Sequence, residues 1–177
     1  MGLFSRFKKK PVSVDYFNEA VETIFKHEGG YVNIPSDPGG ETKYGISKRQ
    51  YPSIDILNLT KDQAKRIYRN DYWNACSCGS MPQTIALAVF DSAVNQGVRA
   101  ASRMIQTAAH VKADGVIGPK TLAAINKRNP EQLLEWFMTE RILRYTSTQN
   151  FAVFGRGWIR RTLSVMREAP KDEESVQ

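Results

Sequence analysis

The chain has 177 residues, of which 41% are hydrophobic and 24% charged, and a formal net charge of +7. That length suits one domain with a proper core, and the composition is that of an ordinary soluble globular protein. No apolar run approaches the ~20 residues of a membrane span, and the positive charge favours polyanionic partners (nucleic acid, anionic lipid or the bacterial envelope) without choosing among them.

The first ten residues, Met1 to Lys10, are basic, with Leu3, Phe4 and Phe7 interspersed among Arg6, Lys8, Lys9 and Lys10. No apolar stretch of the signal-peptide kind follows them, and Arg6 stands where a myristoylation pattern wants Ser or Thr. They read either as a short amphipathic anchor to anionic lipid or lipopolysaccharide or as a solvated tail. Ten residues form little helix on their own, which favours the tail. Residues 1–12 are therefore set apart from a single domain over 13–169, and 170–177 form an acidic, disordered tail.

Within the domain the pattern is mostly helical. The first helix runs over 14–27, with Ser13 as its cap. Residues 31–47 are loop-rich and hold a small hairpin, because Pro35, Pro38, Gly39 and Gly40 break any helix. Thr60 and Gln63 form a capping box that opens a helix to about Trp73, and 77–82 is a turn. Cys76 and Cys78 are too close in the chain for an unstrained mutual disulfide, so a reduced pair is expected. Residues 83–96 are apolar on nearly all sides (Ile85, Leu87, Val89, Phe90, Val94), the mark of a buried central helix, and Gly97 stops it. A helix follows over 99–110. Asp114 and Gly115 turn the chain, and Pro119 sits well as the first residue of a helix to Lys127. Pro130 opens a long helix through about Thr146, with Leu133, Leu134, Phe137, Met138, Ile142 and Tyr145 in register. A last helix runs over 158–168. Phe154, Trp158 and Arg161 are expected to close the core, with Arg161 in reach of the acidic site.

The residue with the clearest chemistry is Glu28. Val21, Ile24 and Phe25 lie seven, four and three positions before it, so it continues their apolar face. Partial desolvation and the negative end of the helix both favour the protonated carboxyl there, as a general acid needs; taken alone, Glu28 reads more simply as a solvated carboxylate before a glycine C-cap. Nine residues on comes Asp37, in a Pro/Gly-rich loop, and five after that Thr42. One proton donor, with a second group to activate or stabilise the opposite face of a sugar, suits glycosidic bond hydrolysis. Asp37 before Pro38 also reads as ordinary turn chemistry, and Thr42 as a strand residue.

The run Glu28-Gly29-Gly30-Tyr31, followed by Asp37-Pro38-Gly39-Gly40-Glu41-Thr42-Lys43-Tyr44-Gly45-Ile46, resembles glycoside hydrolase family 108, the N-acetylmuramidases of many phage endolysins. The resemblance continues in residues 88–97 (AVFDSAVNQG), 114–121 (DGVIGPKT) and 154–161 (FGRGWIRR), and so covers roughly Val14 to Glu168. It implies a mainly α, lysozyme-like fold: a helical bundle around a buried central helix, with a small β-hairpin beside the cleft. It also implies cleavage of the peptidoglycan glycan strand, for wall lysis, and a peptidoglycan-binding-like C-terminal part over 111–169. On this reading Glu28 protonates the leaving oxygen, Asp37 orients a water or stabilises positive charge on the ring, and Thr42 holds that water. Asn95, on one face of the central helix with Asp91, is placed to bond an N-acetyl group, and Asp91 reads as structural. Tyr31 and Tyr44 are candidates to stack on sugars. The chemistry calls for no cofactor. A metal is not expected either, since only His27 and His110 could join the two cysteines and their spacing matches no zinc motif.

Other classes compete. The charge and the basic helices could suit a nucleic-acid-binding module, but no helix-turn-helix, basic zipper or zinc-finger pattern is visible. A non-catalytic wall binder would not need the Glu28, Asp37 and Thr42 set. A lytic transglycosylase would need one Glu and no second carboxylate. The reading adopted is a monomeric peptidoglycan hydrolase, made in a host cytoplasm and acting on the periplasmic wall.

Overall fold

Phe17, Val21, Ile24 and Phe25 recur at helical spacing, and they form the buried stripe of α1 (Val14–Glu28). The structure, a computed structural model, describes residues 14–33 and 40–171. The expectations placed on Met1 to Lys10, Ser13, Asp37 and 172–177 lie outside these residues.

Gly29, in the left-handed region at φ 77°, ends α1. The chain then pairs Val32 with Thr42 through two 2.8 Å backbone hydrogen bonds. The expected hairpin is present and very short. Strand β1 (Thr42–Lys43) runs antiparallel to β2 (Ile46–Ser47), with Thr42 opposite Ser47 and Lys43 opposite Ile46. Its two-residue loop, Tyr44 and Gly45, has φ 53° and 75°. Positive φ at both positions is what a type I′ hairpin turn requires.

The capping box at Thr60 is formed. The Thr60 hydroxyl accepts from the Gln63 N–H at 3.2 Å, and the Gln63 side chain accepts from the Thr60 N–H at 2.8 Å. It opens α2 (Lys61–Tyr68). The helix expected to run on to Trp73 instead widens into a π-helical turn over Arg69–Asn74. The extra residue per turn delivers Trp73 to the core, edge-on to Phe17 and Phe90 at 5.5 and 5.3 Å. Cys76 and Cys78 follow, both buried and both free.

Helix α3 (Gln83–Gln96) is the buried centre, and it packs on α1, α4 (Val98–Ala108), α6 (Pro130–Thr146) and α7 (Phe151–Glu168). Ala86, Ala88 and Ala93 line it with small side chains, which lets its neighbours approach closely. Helix α5 (Pro119–Lys127) lies against α6, and the starts at Pro119 and Pro130 fall where proline fits the first turn.

Helix α7 begins seven residues earlier than the sequence pattern suggested. Gly155 and Gly157 argue against helix locally, but a Cβ at Gly155 would stand 2.7 Å from the Phe151 ring, so the glycine is there to admit that ring. This extension also corrects the role expected of Phe154. It is 54% exposed and covers Trp158 rather than the core, their rings 5.9 Å apart.

Candidate active site

Glu28 stands where α1 meets the hairpin. Its carboxyl is 21% exposed, and Oε1 is paired with the Arg161 Nη1 at 2.7 Å. Arg161 comes from α7, far along the chain, and is itself only 13% exposed. Its other edge grips Asp91 of α3: Nε donates to Oδ1 at 2.9 Å, and Nη2 lies 2.8 Å from the same oxygen. The remaining oxygen of Asp91, Oδ2, is 2.5 Å from the Arg141 Nη2 of α6, and both of those side chains are fully buried. A buried carboxylate would be intolerable alone. Burial pushes the Asp91 carboxyl up, and Arg141 and Arg161 more than offset it, so Asp91 is held below the usual carboxylate range.

The polar chain continues to Asn95. Arg141 donates to the Tyr145 hydroxyl through Nη2 at 3.2 Å and Nε at 3.3 Å, and that hydroxyl donates to the Asn95 Oδ1. Tyr145 also stacks on Trp158, with centroids 4.9 Å apart and planes at 21°. Three helices thus converge on one side of Glu28 through a continuous set of charged and polar contacts.

The hairpin supplies the other side. A Cβ built on Gly45 would lie 2.8 Å from the Glu28 Cγ, 2.9 Å from Oε2 and 2.5 Å from the Tyr68 hydroxyl. Tyr68 is buried and donates that hydroxyl to the Tyr44 carbonyl at 2.8 Å, which ties the turn to α2. Burial, and after it the Glu28 charge, hold the Tyr68 phenol above the ordinary tyrosine range. The Glu28 carboxyl is therefore wedged between a guanidinium on Oε1 and a glycine turn near Oε2.

The other residues singled out from the sequence are distributed unevenly. Thr42 is in β1, half-buried, with its backbone committed to Val32. Tyr44 is half-buried and packs its ring 5.4 Å from Phe25, so much of it is core. Tyr31 is 40% exposed and donates to the Glu41 Oε1 at 3.3 Å. Asn95 is exposed beside the polar chain. Asp37 lies outside the described residues. Sequence reading placed Arg161 near the acid but passed over Arg141 and Tyr68. Arg141 did carry a signal: it interrupts the apolar stripe Leu134, Met138, Tyr145 of α6, and an arginine there demands a buried anion.

A helical domain that sets a half-buried glutamate at a helix end, beside a small hairpin, has the lysozyme-like fold. The glycosyl hydrolase 108 model matches residues 21–97, and a predicted peptidoglycan domain matches residues 99–163. Among solved structures the chain is similar to that described as "Structure of Brucella abortus SagA", with 33% identity and a TM-score of 0.80. That match covers 89% of this chain and 95% of the other. Among curated proteins nothing matches. The chain belongs to the glycosyl hydrolase 108 family. It is a glycoside hydrolase, from an N-acetylmuramidase family, and its substrate is peptidoglycan.

Proposed function

We propose that the chain cleaves the MurNAc–GlcNAc bond of the peptidoglycan glycan strand, with Glu28 as general acid. The observation that supports this is the two-sided seating of the Glu28 carboxyl. Arg161 occupies Oε1, while Oε2 has no hydrogen-bond partner among the described residues and faces the Gly45 turn. Oε2 is then the oxygen that carries the proton to the leaving glycosidic oxygen. Arg161, anchored on Asp91, restrains the carboxyl so that this oxygen stays aimed, which is how a second layer of contacts raises effective molarity.

Asp37 activates the attacking water or stabilises the positive charge that develops on the ring, and the Thr42 hydroxyl steadies that water. The Asn95 side-chain carbonyl is taken by Tyr145, which leaves its amide N–H groups to bond the N-acetyl carbonyl. Tyr31, exposed near the hairpin, offers a ring face to a sugar. The setting we assign is endolysin-type lysis, in which the enzyme reaches the periplasmic wall from a host cytoplasm.

Mass spectrometry of digested peptidoglycan tests the reaction. New reducing ends on MurNAc support it. Reducing ends on GlcNAc would move the cleaved bond, and anhydro-MurNAc ends would make the enzyme a lytic transglycosylase. Glu28→Gln keeps the shape of the side chain and removes the proton, so the rate should fall at least ~100-fold. Melting should change little in that variant, and retention of more than about a tenth of the rate removes Glu28 from the mechanism.

A further inference from the structure

A groove of about 540 Å³ opens in the C-terminal half, away from Glu28. One wall is α5, where Lys120, Ala123, Ala124 and Lys127 follow the spacing of a single helix face. The other wall is the end of α4, at Ala109 and His110. Helix α4 starts three residues after Asn95 and has 11 residues, so at 1.5 Å per residue its far end lies about 16 Å further along.

Two of the polar side chains here are fixed. The Arg128 Nη2 and Nε donate to the Ala109 carbonyl at 2.7 and 3.2 Å, and its guanidinium lies 5.5 Å from the centre of the Trp136 ring. His110 is held at φ 52° with its ring edge-on to the same Trp136, 5.2 Å away. The other two, Lys120 and Lys127, are exposed. Among the described residues none of these four side chains is in a salt bridge with a carboxylate. The groove therefore presents unneutralised positive charge over a floor of alanine methyls.

We propose that this groove binds the carboxylates of the peptide stems of peptidoglycan, giving the enzyme a second hold on its polymer. The proposal rests on peptidoglycan being the substrate. Sugar rings call for broad aromatic platforms and hydroxyl partners, and no Tyr, Trp, Ser or Thr is among the described residues that line this groove. A peptide stem brings carboxylates for the lysines and small side chains for the alanine floor. Arg128 spends Nε and Nη2 on the Ala109 carbonyl, so the two exposed lysines carry most of the free charge, as point charges.

The test is cosedimentation with purified sacculi of Glu28→Gln and of the same chain carrying K120E and K127E. Both lysines are on an exposed helix face, so melting should be unchanged; K120A with K127A is the milder pair if it is not. Binding to intact sacculi should weaken about tenfold at low salt and less at high salt. On sacculi stripped of their stems by an amidase, the two proteins should bind alike. With Glu28 intact, the lysine pair should leave hydrolysis of a peptide-free glycan oligomer unchanged. Equal binding of both proteins to intact sacculi overturns the proposal. So does an equal loss on stripped sacculi, or an equal loss on nucleic acid or anionic vesicles, each of which reduces the groove to general basic charge. A wild-type chain that cleaves no glycan would sink the hydrolase reading instead, and the binding of uncleaved sacculi would still be read separately.

Discussion

Arg161→Ala removes the guanidinium that joins the Glu28 carboxyl to the interior. The guanidinium is 13% exposed and touches two carboxylates, Glu28 at 2.7 Å and Asp91 at 2.8 Å. Breaking one side of a buried ion pair costs about 3–5 kcal/mol, because the abandoned charge stays buried. Asp91 keeps Arg141 at 2.5 Å, which puts this case at the low end, about 3 kcal/mol. For a domain of this length that is a fall in Tm of about 6–12 °C. The pH dependence has a definite sign. Asp91 is held below the usual carboxylate range, so its pairing stabilises the fold above the unfolded-state value of ~3.9 and is lost as pH falls through the folded-state value. The gap in Tm between wild type and variant should be full at pH 7 and narrow toward pH ~3. Arg161→Lys keeps one charge but cannot bridge both carboxylates as a fork does, so it should restore part of the stability and less of the rate. Thermal unfolding across pH, with turnover of peptidoglycan measured beside it, makes the comparison. A variant melting within 2 °C of wild type at pH 7, or a gap that widens in acid, would refute this account of the Asp91 pairing.

Gly45→Ala places a methyl 2.8 Å from the Glu28 Cγ and 2.5 Å from the Tyr68 hydroxyl, in a backbone conformation at φ 75° that alanine avoids. The strain is about 1–2 kcal/mol, and displacement of the carboxyl by about 1 Å should cost on the order of 100-fold in rate; turnover within threefold of wild type would show that the turn does not seat Glu28. For Asp37→Asn, an equal loss near 100-fold is expected if the carboxylate works on the water, while Thr42→Val should lose closer to tenfold. Near-normal rates in Asp37→Asn, with a changed melting temperature, would make Asp37 a turn residue only.

Local features were legible in the chain because their causes are local. Capping at Thr60 and Gln63, proline at 119 and 130, and the run of apolar residues over 83–96 each specify an element through neighbours within a few positions. The widened turn after Tyr68 went otherwise, since it depends on the distant rings of Phe17 and Phe90, and Phe154 covers Trp158 only because the last helix starts early enough to set the two four residues apart on one face. Glu28 stood out as an acid at a helix end with a specific motif behind it. Its surroundings did not, because Arg161, Asp91 and Arg141 are 133, 63 and 113 residues away in the chain, differences read directly from their numbers. Charge attraction acts through space, and a buried carboxylate takes whichever cation the packing of helices brings within about 4 Å. Sequence alone determined that this chain has an acid in a lysozyme-like setting; only the packing of α3, α6 and α7 decided which guanidinium holds it, and by which of its two oxygens.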